Sequence, residues 1–293
     1  MTATQNANAA GKMPVVFVGH GSPENAIMEN AFTRRLEQLG RDLPRPQAIL
    51  VVSAHWLTHG TYVTGMARPR TIHDFYGFPQ EMYALSYPSP GAPEYAERVR
   101  ELLTTTGVGW DLSWGLDHGT WTVLRRMYPA ADIPVFQLSI DYDHPPAYHY
   151  ALAKELAPLR KEGVLILGSG NITHNLRVTD YPHLDAPPRA WAVAFDERVK
   201  AALLHRDHAT LIHYQSWGDV TDLAVSADDR YSPVLQGLSP QEWGRVANLA
   251  VPTNDHYLPM LYAAGLQEEG DAVEFVYEGF HYGTLSMRCF QIG

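Results

Sequence analysis

Five of the fourteen histidines in this sequence stand at the ends of apolar runs or at helix starts, where a fold can gather side chains. His20 follows the first run in VVFVGHGSP, His55 closes ILVVSAHW, and His174 lies beyond VLIL in LGSGNITHN. A lone histidine at a strand end is usually a hydrogen-bonded core residue. Three at three strand ends point to one crevice, because ligands of open α/β sheets bind at the carboxyl ends of the strands. His118, in LDHGTW behind the potential helix cap Asp117, and His256, in TNDHYLP behind Asp255, read equally well as structural residues at helix starts. His73, in TIHDFYGFP, belongs with Phe75, Tyr76 and Phe78 at the mouth of such a crevice. His59, His144, His149, His205, His208, His213 and His281 lack such a setting.

Grouped imidazoles suit Zn, Fe, Cu or Ni, whereas Mg and Ca prefer oxygen. The sequence has no HExxH pair for a metalloprotease, and GHGSP does not place Ser22 in a GxSxG elbow. It has no Walker loop, and GSGN at 168–171 is too short for a dinucleotide fingerprint. Cys289 has no motif around it and reads as core.

The elements that must position these residues are legible as short β-branched runs. Residues 14–18, 48–52, 134–140 and 164–167 are too short and too apolar for surface helices and predict buried strands. Helical patterns lie between them, at Pro93-Glu94 onward to Gly107, at 118–127, 146–161, 189–204 and 256–265. Two further strands are expected at 273–277 and 284–290. The alternation predicts one α/β domain over 13–293, with a central, largely parallel mixed sheet and helices on both faces. Residues 1–12 predict a flexible N-terminus, and 226–250 a polar loop insertion, serving as plain surface, as a lid or as an oligomer contact.

Composition removes several classes. Seven Trp, sixteen Tyr and nine Phe exclude a disordered chain, and a single Cys excludes a disulfide framework within it. The formal charge of -10, with basic residues scattered, argues against nucleic acid and anionic lipid as partners. MTATQNANAAGK has no apolar core for a secretory signal, and no stretch approaches the ~20 apolar residues of a membrane span. A soluble cytoplasmic protein is the expectation.

The segments VVFVGHGSP, PRPQAILVVSAHW, TIHDFYGFP, WGLDHGTW, IPVFQLSID, GSGNITHN, NDHYLP and GTLSMRCFQIG, in this order from about residue 13 to the end, resemble the class III extradiol ring-cleavage dioxygenases. The nearest branch is that of the DOPA 4,5-dioxygenases. The resemblance implies a non-haem metal site and opening of a DOPA-like catechol by O2 to a semialdehyde. It implies His20, His55 and His256 as metal ligands, with His174 at or beside the metal and also a candidate acid/base. His118 would be the histidine lining the substrate pocket and act with His174 in catalysis. Ser22, His73, Trp121 and Arg177 complete the candidate substrate-binding set. The family pattern joins DLAV almost directly to PTNDHYLP, so 226–250 departs from it, and His256 stands where the wider class often has Glu.

Fe(2+) fits this chemistry, because a three-residue face leaves about three positions for two catechol oxygens and O2. Zn(2+) would fill the same nitrogens in purified protein but has no accessible second oxidation state. Two alternatives use the same residues: a zinc-dependent hydrolase, and a non-catalytic binding relative that has lost the metal.

Overall fold

The computed structural model describes residues 12–181, 183–217 and 238–293. Its frame is an eight-stranded mixed sheet. The strands are β1 (Val15–Gly19), β2 (Ala48–Thr58), β3 (Thr61–Thr64), β4 (Val108–Asp111), β5 (Val135–Asp141), β6 (Val164–Gly170), β7 (Val273–Tyr277) and β10 (Cys289–Ile292). A small hairpin, β8 (Phe280–His281) and β9 (Leu285–Ser286), stands apart from it. The order across the sheet is β4-β3-β5-β2-β6-β1-β10-β7. The middle four, β5, β2, β6 and β1, run parallel and therefore end on the same side.

Their near-continuous apolar sequence follows from burial on both faces. Side chains alternate across a strand, so Val15, Phe17, Leu50, Val52 and Ile166 enter one core while Val16, Val18, Ile49, Val51 and Leu167 enter the other. The helices covering these faces are α1 (Ala31–Asp42), α2 (Gln80–Tyr83), α3 (Pro93–Leu102), α4 (His118–Met127), α5 (Pro146–Glu155), α6 (Ala157–Lys161), α7 (Ala190–Leu204), α8 (His208–Ile212), α9 (Pro240–Ala250) and α10 (Leu258–Gly265). This is a single α/β domain, as expected. Among the described residues no helix is long and apolar enough to cross a membrane.

Several expectations need correction. The helix expected over 146–161 breaks at Leu156, because Pro158 lacks an N–H and its ring would clash with the carbonyl of Lys154. The strand expected over 284–290 is two strands, one in the hairpin and one in the main sheet. The second half of the loop expected at 226–250 is helix α9, opened by a Ser239/Glu242 capping box and buried through Trp243, Val246, Ala247 and Ala250. Residues 226–237 lie outside the described residues, as do 1–11 of the expected flexible N-terminus. Lys12, by contrast, is tied down by ion pairs to Glu268 (2.8 Å) and Asp271 (2.6 Å).

Candidate active site

The carboxyl ends of β1, β2 and β6 carry the histidines toward one point. His20 directly follows β1 and is almost fully buried. Its Nδ1 lies 3.0 Å from Ser169 Oγ, and that hydroxyl donates to the Gly119 carbonyl at 2.5 Å. Ser169 has one proton and has given it away, so it accepts from His20 Nδ1–H. The Nε2 lone pair of His20 is therefore free. His55 sits where the pairing of β2 with β5 slips between Val52 and Leu57, an irregularity of the kind that re-aims side chains. His55 Nε2 lies 3.1 Å from His20 Nε2, and its Nδ1 lies 3.7 Å from Asp74 Oδ2.

His256 comes two residues before α10, in a turn laid over the end of β6. Asn171 N–H donates to the His256 carbonyl at 2.9 Å. A Cβ at position 170 would stand 2.1 Å from that carbonyl oxygen, so the second glycine of GSGN lets the two segments touch. The Asp255 carboxylate accepts His256 Nδ1–H, which leaves His256 Nε2 as the lone pair. That atom is buried and has no hydrogen-bond partner among the described residues. The candidate ligand atoms of His20, His55 and His256 all lie within 4.8 Å of one another. Two metal–nitrogen bonds of ~2.1 Å at tetrahedral to octahedral angles place the nitrogens ~3.0–3.4 Å apart, so the 3.1 Å between His20 and His55 suits two ligands of one ion. Without a cation, a proton on His55 Nε2 spans the same gap as a hydrogen bond to His20 Nε2. The donor set fits a borderline-soft divalent metal.

Electrostatics agree. Burial first, and then the neighbouring imidazoles, push His20, His55 and His174 well below the ordinary 6.5. They are neutral near pH 7, as ligands or proton acceptors must be. Burial works upward on Asp255, but the hydrogen bond and charge of His256 outweigh it and hold the carboxyl well down. Asp74 is held below its ordinary value in the same way by His118.

The sequence of the whole chain decides the family. Residues 13–227 match the catalytic LigB subunit of aromatic ring-opening dioxygenase. The chain belongs to this family. It is an extradiol aromatic ring-opening dioxygenase, of class III and the DOPA branch. It is 45% identical to the 4,5-DOPA dioxygenase extradiol of Escherichia coli K12 over 96% of this chain and 95% of that one. It is 38% identical to the 4,5-DOPA dioxygenase extradiol of Beta vulgaris, over 74% of this chain and 83% of that one. Among solved structures, a crystal structure of an uncharacterized Escherichia coli K12 protein superposes with a TM-score of 0.76 at 40% identity, covering 96% of this chain and 100% of that chain.

The remaining expected residues of this dioxygenase divide. His118, at the start of α4, is capped by Asp117 and packs 3.8 Å ring to ring from His55. Its Nδ1 stands 3.0 Å from Asp74 Oδ2, and its backbone N–H donates to Asp74 Oδ1 at 2.9 Å. His174 stacks on His256, with centroids 3.4 Å apart and planes within 4°. An imidazole lone pair lies in the ring plane, so two parallel rings do not aim at one ion. This argues against His174 as a fourth ligand and leaves it beside the site. His73 lies against Trp121 and Phe75 and donates Nε2–H to the Leu85 carbonyl at 3.0 Å. Trp121 is fully buried and donates Nε1–H to the Ile72 carbonyl at 2.8 Å. Ser22 caps a short 3-10 turn at Pro23–Ala26. Trp121 and Ser22 thus have their polar groups engaged in holding loops. Arg177 is exposed in the turn three residues past His174.

Sequence reasoning missed Ser169 and Asp74 and saw Asp117 only as a cap. Asp117 is fully buried and also accepts from Ser53 Oγ (2.6 Å) and Gln137 Nε2 (2.7 Å). The available signal was polar Ser53, Gln137 and Ser169 inside otherwise apolar strands, since buried polar groups persist only where they have partners.

Proposed function

We propose that this dioxygenase opens a single-ring catechol, DOPA or a close analogue, to a semialdehyde with O2, at a metal held by His20, His55 and His256. The observation that carries this reading is the convergence of three imidazoles whose opposite nitrogens face Ser169, Asp74 and Asp255. Bound there, Fe2+ would supply redox access to O2 and lower the pKa of the catechol hydroxyls it binds, which Zn2+ could do only in the second respect.

The protein's own groups do the rest. His174, neutral through burial, accepts a proton from the entering catechol. His118 Nε2 has no hydrogen-bond partner among the described residues and is free to act on the second hydroxyl or on the opened product. Phe75 packs edge-on against His118 at 5.7 Å and, with Phe78 at 5.2 Å from it, forms an aromatic wall that keeps water from the ring. With the net charge at -10, attraction for a carboxylate side chain must be local, and exposed Arg177, three residues past His174 in sequence, is the candidate group for it.

The test is anaerobic reconstitution with Fe2+, followed by oxygen uptake over a panel of catechols. Uptake coupled to semialdehyde formation is expected, with DOPA among the better substrates. Silence on every catechol with iron fully loaded would refute the reading. Oxygen-independent hydrolysis with Zn2+ would replace it with a hydrolase.

A further inference from the structure

The carboxylate of Asp74 stands where two roles of the site meet. Its Oδ1 accepts the backbone N–H of His118 at 2.9 Å. Its Oδ2 lies 3.0 Å from His118 Nδ1 and 3.7 Å from His55 Nδ1. One oxygen thus faces the same nitrogen of two rings packed 3.8 Å apart, one assigned to the metal and one to the substrate. His118 Nδ1 is buried, and among the described residues it makes no hydrogen bond to any acceptor other than the facing Asp74.

The segment that carries Asp74 is itself fixed to the start of α4. Leu116 N–H donates to the Arg70 carbonyl (2.8 Å), and Ile72 N–H donates to the Leu116 carbonyl (2.7 Å). Trp121 Nε1–H, one turn into α4, closes on the Ile72 carbonyl. Asp74 therefore moves with His118 and not as a free loop residue. Ser169 and Asp255 differ from it, since among the described residues each hydrogen-bonds a single imidazole.

We propose that Asp74 is a positioning residue for ring opening: it keeps the proton on Nδ1 of both His55 and His118, so that one Nε2 lone pair is aimed at the metal and the other at the bound catechol. The inference rests on the roles given to His55 and His118 above. A carboxylate can serve both rings because it only accepts, and the buried His118 Nδ1 meets no competing acceptor among the described residues. Outer groups of this kind set tautomer and ring orientation for metal-binding histidines. Here one such group would set the tautomer of the proton acceptor as well, so metal retention and turnover share one anchor.

The experiment uses the full-length, Zn2+-loaded protein with 15N-labelled histidine, comparing wild type, Asp74→Asn, Asp74→Ser and Asp74→Glu. The asparagine keeps the shape and the acceptor for His118 N–H but turns an NH2 toward the two Nδ1 atoms. In wild type the ring-nitrogen spectra should show Nδ1–H on His118 and His55. In Asp74→Asn and Asp74→Ser, His118 should move toward the Nε2–H form, and metal affinity in chelator competition should fall by about 10- to 100-fold. With Fe2+, kcat should fall by about 100-fold or more while KM changes little, and Asp74→Glu should recover part of both losses. The serine variant keeps the test alive if the asparagine does not fold. Unchanged His118 tautomer together with metal affinity within about twofold of wild type would overturn the proposal. So would two metal ions per chain, because a cation among Asp74, His55 and His118 needs lone pairs on both Nδ1 atoms. Tautomer and Zn2+ affinity are read without turnover, so a protein that opens no catechol would sink the proposed function and leave this inference to be judged on its own data.

Discussion

The buried histidines of α5 and of the strand ends differ in what their nitrogens face. In α5, His149 is fully buried, with Nδ1 3.1 Å from Tyr262 Oη and Nε2 without a hydrogen-bond partner among the described residues. At the ends of β1, β2 and α10's leading turn, His256 also has a buried Nε2 without a partner, but there two further imidazoles approach it. Among the described residues, His149 belongs to no group of side chains able to hold a metal. An orphaned buried nitrogen is therefore an ordinary product of packing an aromatic ring. What marks a site is convergence of several such nitrogens, with the opposite face of each ring turned to its own acceptor.

The largest expected contrast lies in metal content. Replacing His20, His55 or His256 with Ala should abolish stoichiometric metal after gel filtration, and with it all turnover. His149→Phe should leave the metal in place and change stability by only about 1–3 kcal/mol. Metal loss in His149→Phe, or retention in the other three, would erase the distinction.

Next in size is the separation of ligands from proton acceptors. His118→Ala should keep fold and metal while kcat falls by about 10²- to 10⁴-fold. If it unfolds the protein instead, His118 is a structural histidine. His174→Ala should also keep its metal, because its ring plane parallels that of His256; metal analysis showing loss would make it a ligand.

The acceptors behind the rings should matter at the next level. Ser169→Ala and Asp255→Asn should each weaken metal binding by about 10- to 100-fold in chelator competition. Tyr262→Phe, the equivalent change behind His149, should not alter metal affinity.

Acid sharpens the comparison from the other side. Burial pushes His149 and His281 down to about 4 from an ordinary 6.5. As pH falls, the unfolded chain takes up these protons before the folded one does. Stability is complete above 6.5 and is lost between 6.5 and about 4, by up to about 3 kcal/mol for each. Urea titrations of metal-free protein at pH 7 and pH 5 should show the loss, and His149→Phe should reduce it. The smallest effect is expected at Arg177→Ala, where the preference for DOPA over dopamine in a paired assay should drop a few-fold; an unchanged ratio would remove Arg177 from substrate recognition.

The sequence carried the fold's middle and the site's inner ring of histidines for the same reason. Strands buried on both faces must be apolar throughout, so 14–18, 48–52, 134–140 and 164–167 stood out, and the residues that ended them stood out too. The flanks were hidden because their signals are short. β3 and β4 have four residues each, and α1 begins at an Asn30/Thr33 capping box that no apolar run announces. His55 was expected to close its strand but lies within it, since β2 continues past a slip in pairing that no local pattern encodes. Asp74 was out of reach of spacing altogether, because its meaning depends on two rings brought to it from 19 residues before and 44 after.

The position of the bound metal is decisive. Crystals of the Fe2+-loaded protein, measured at the iron absorption edge, should give one anomalous peak per chain within ~2.0–2.2 Å of the Nε2 atoms of His20, His55 and His256. A peak held instead through His174, one between His118 and Asp74, or none at full iron loading would contradict this placement.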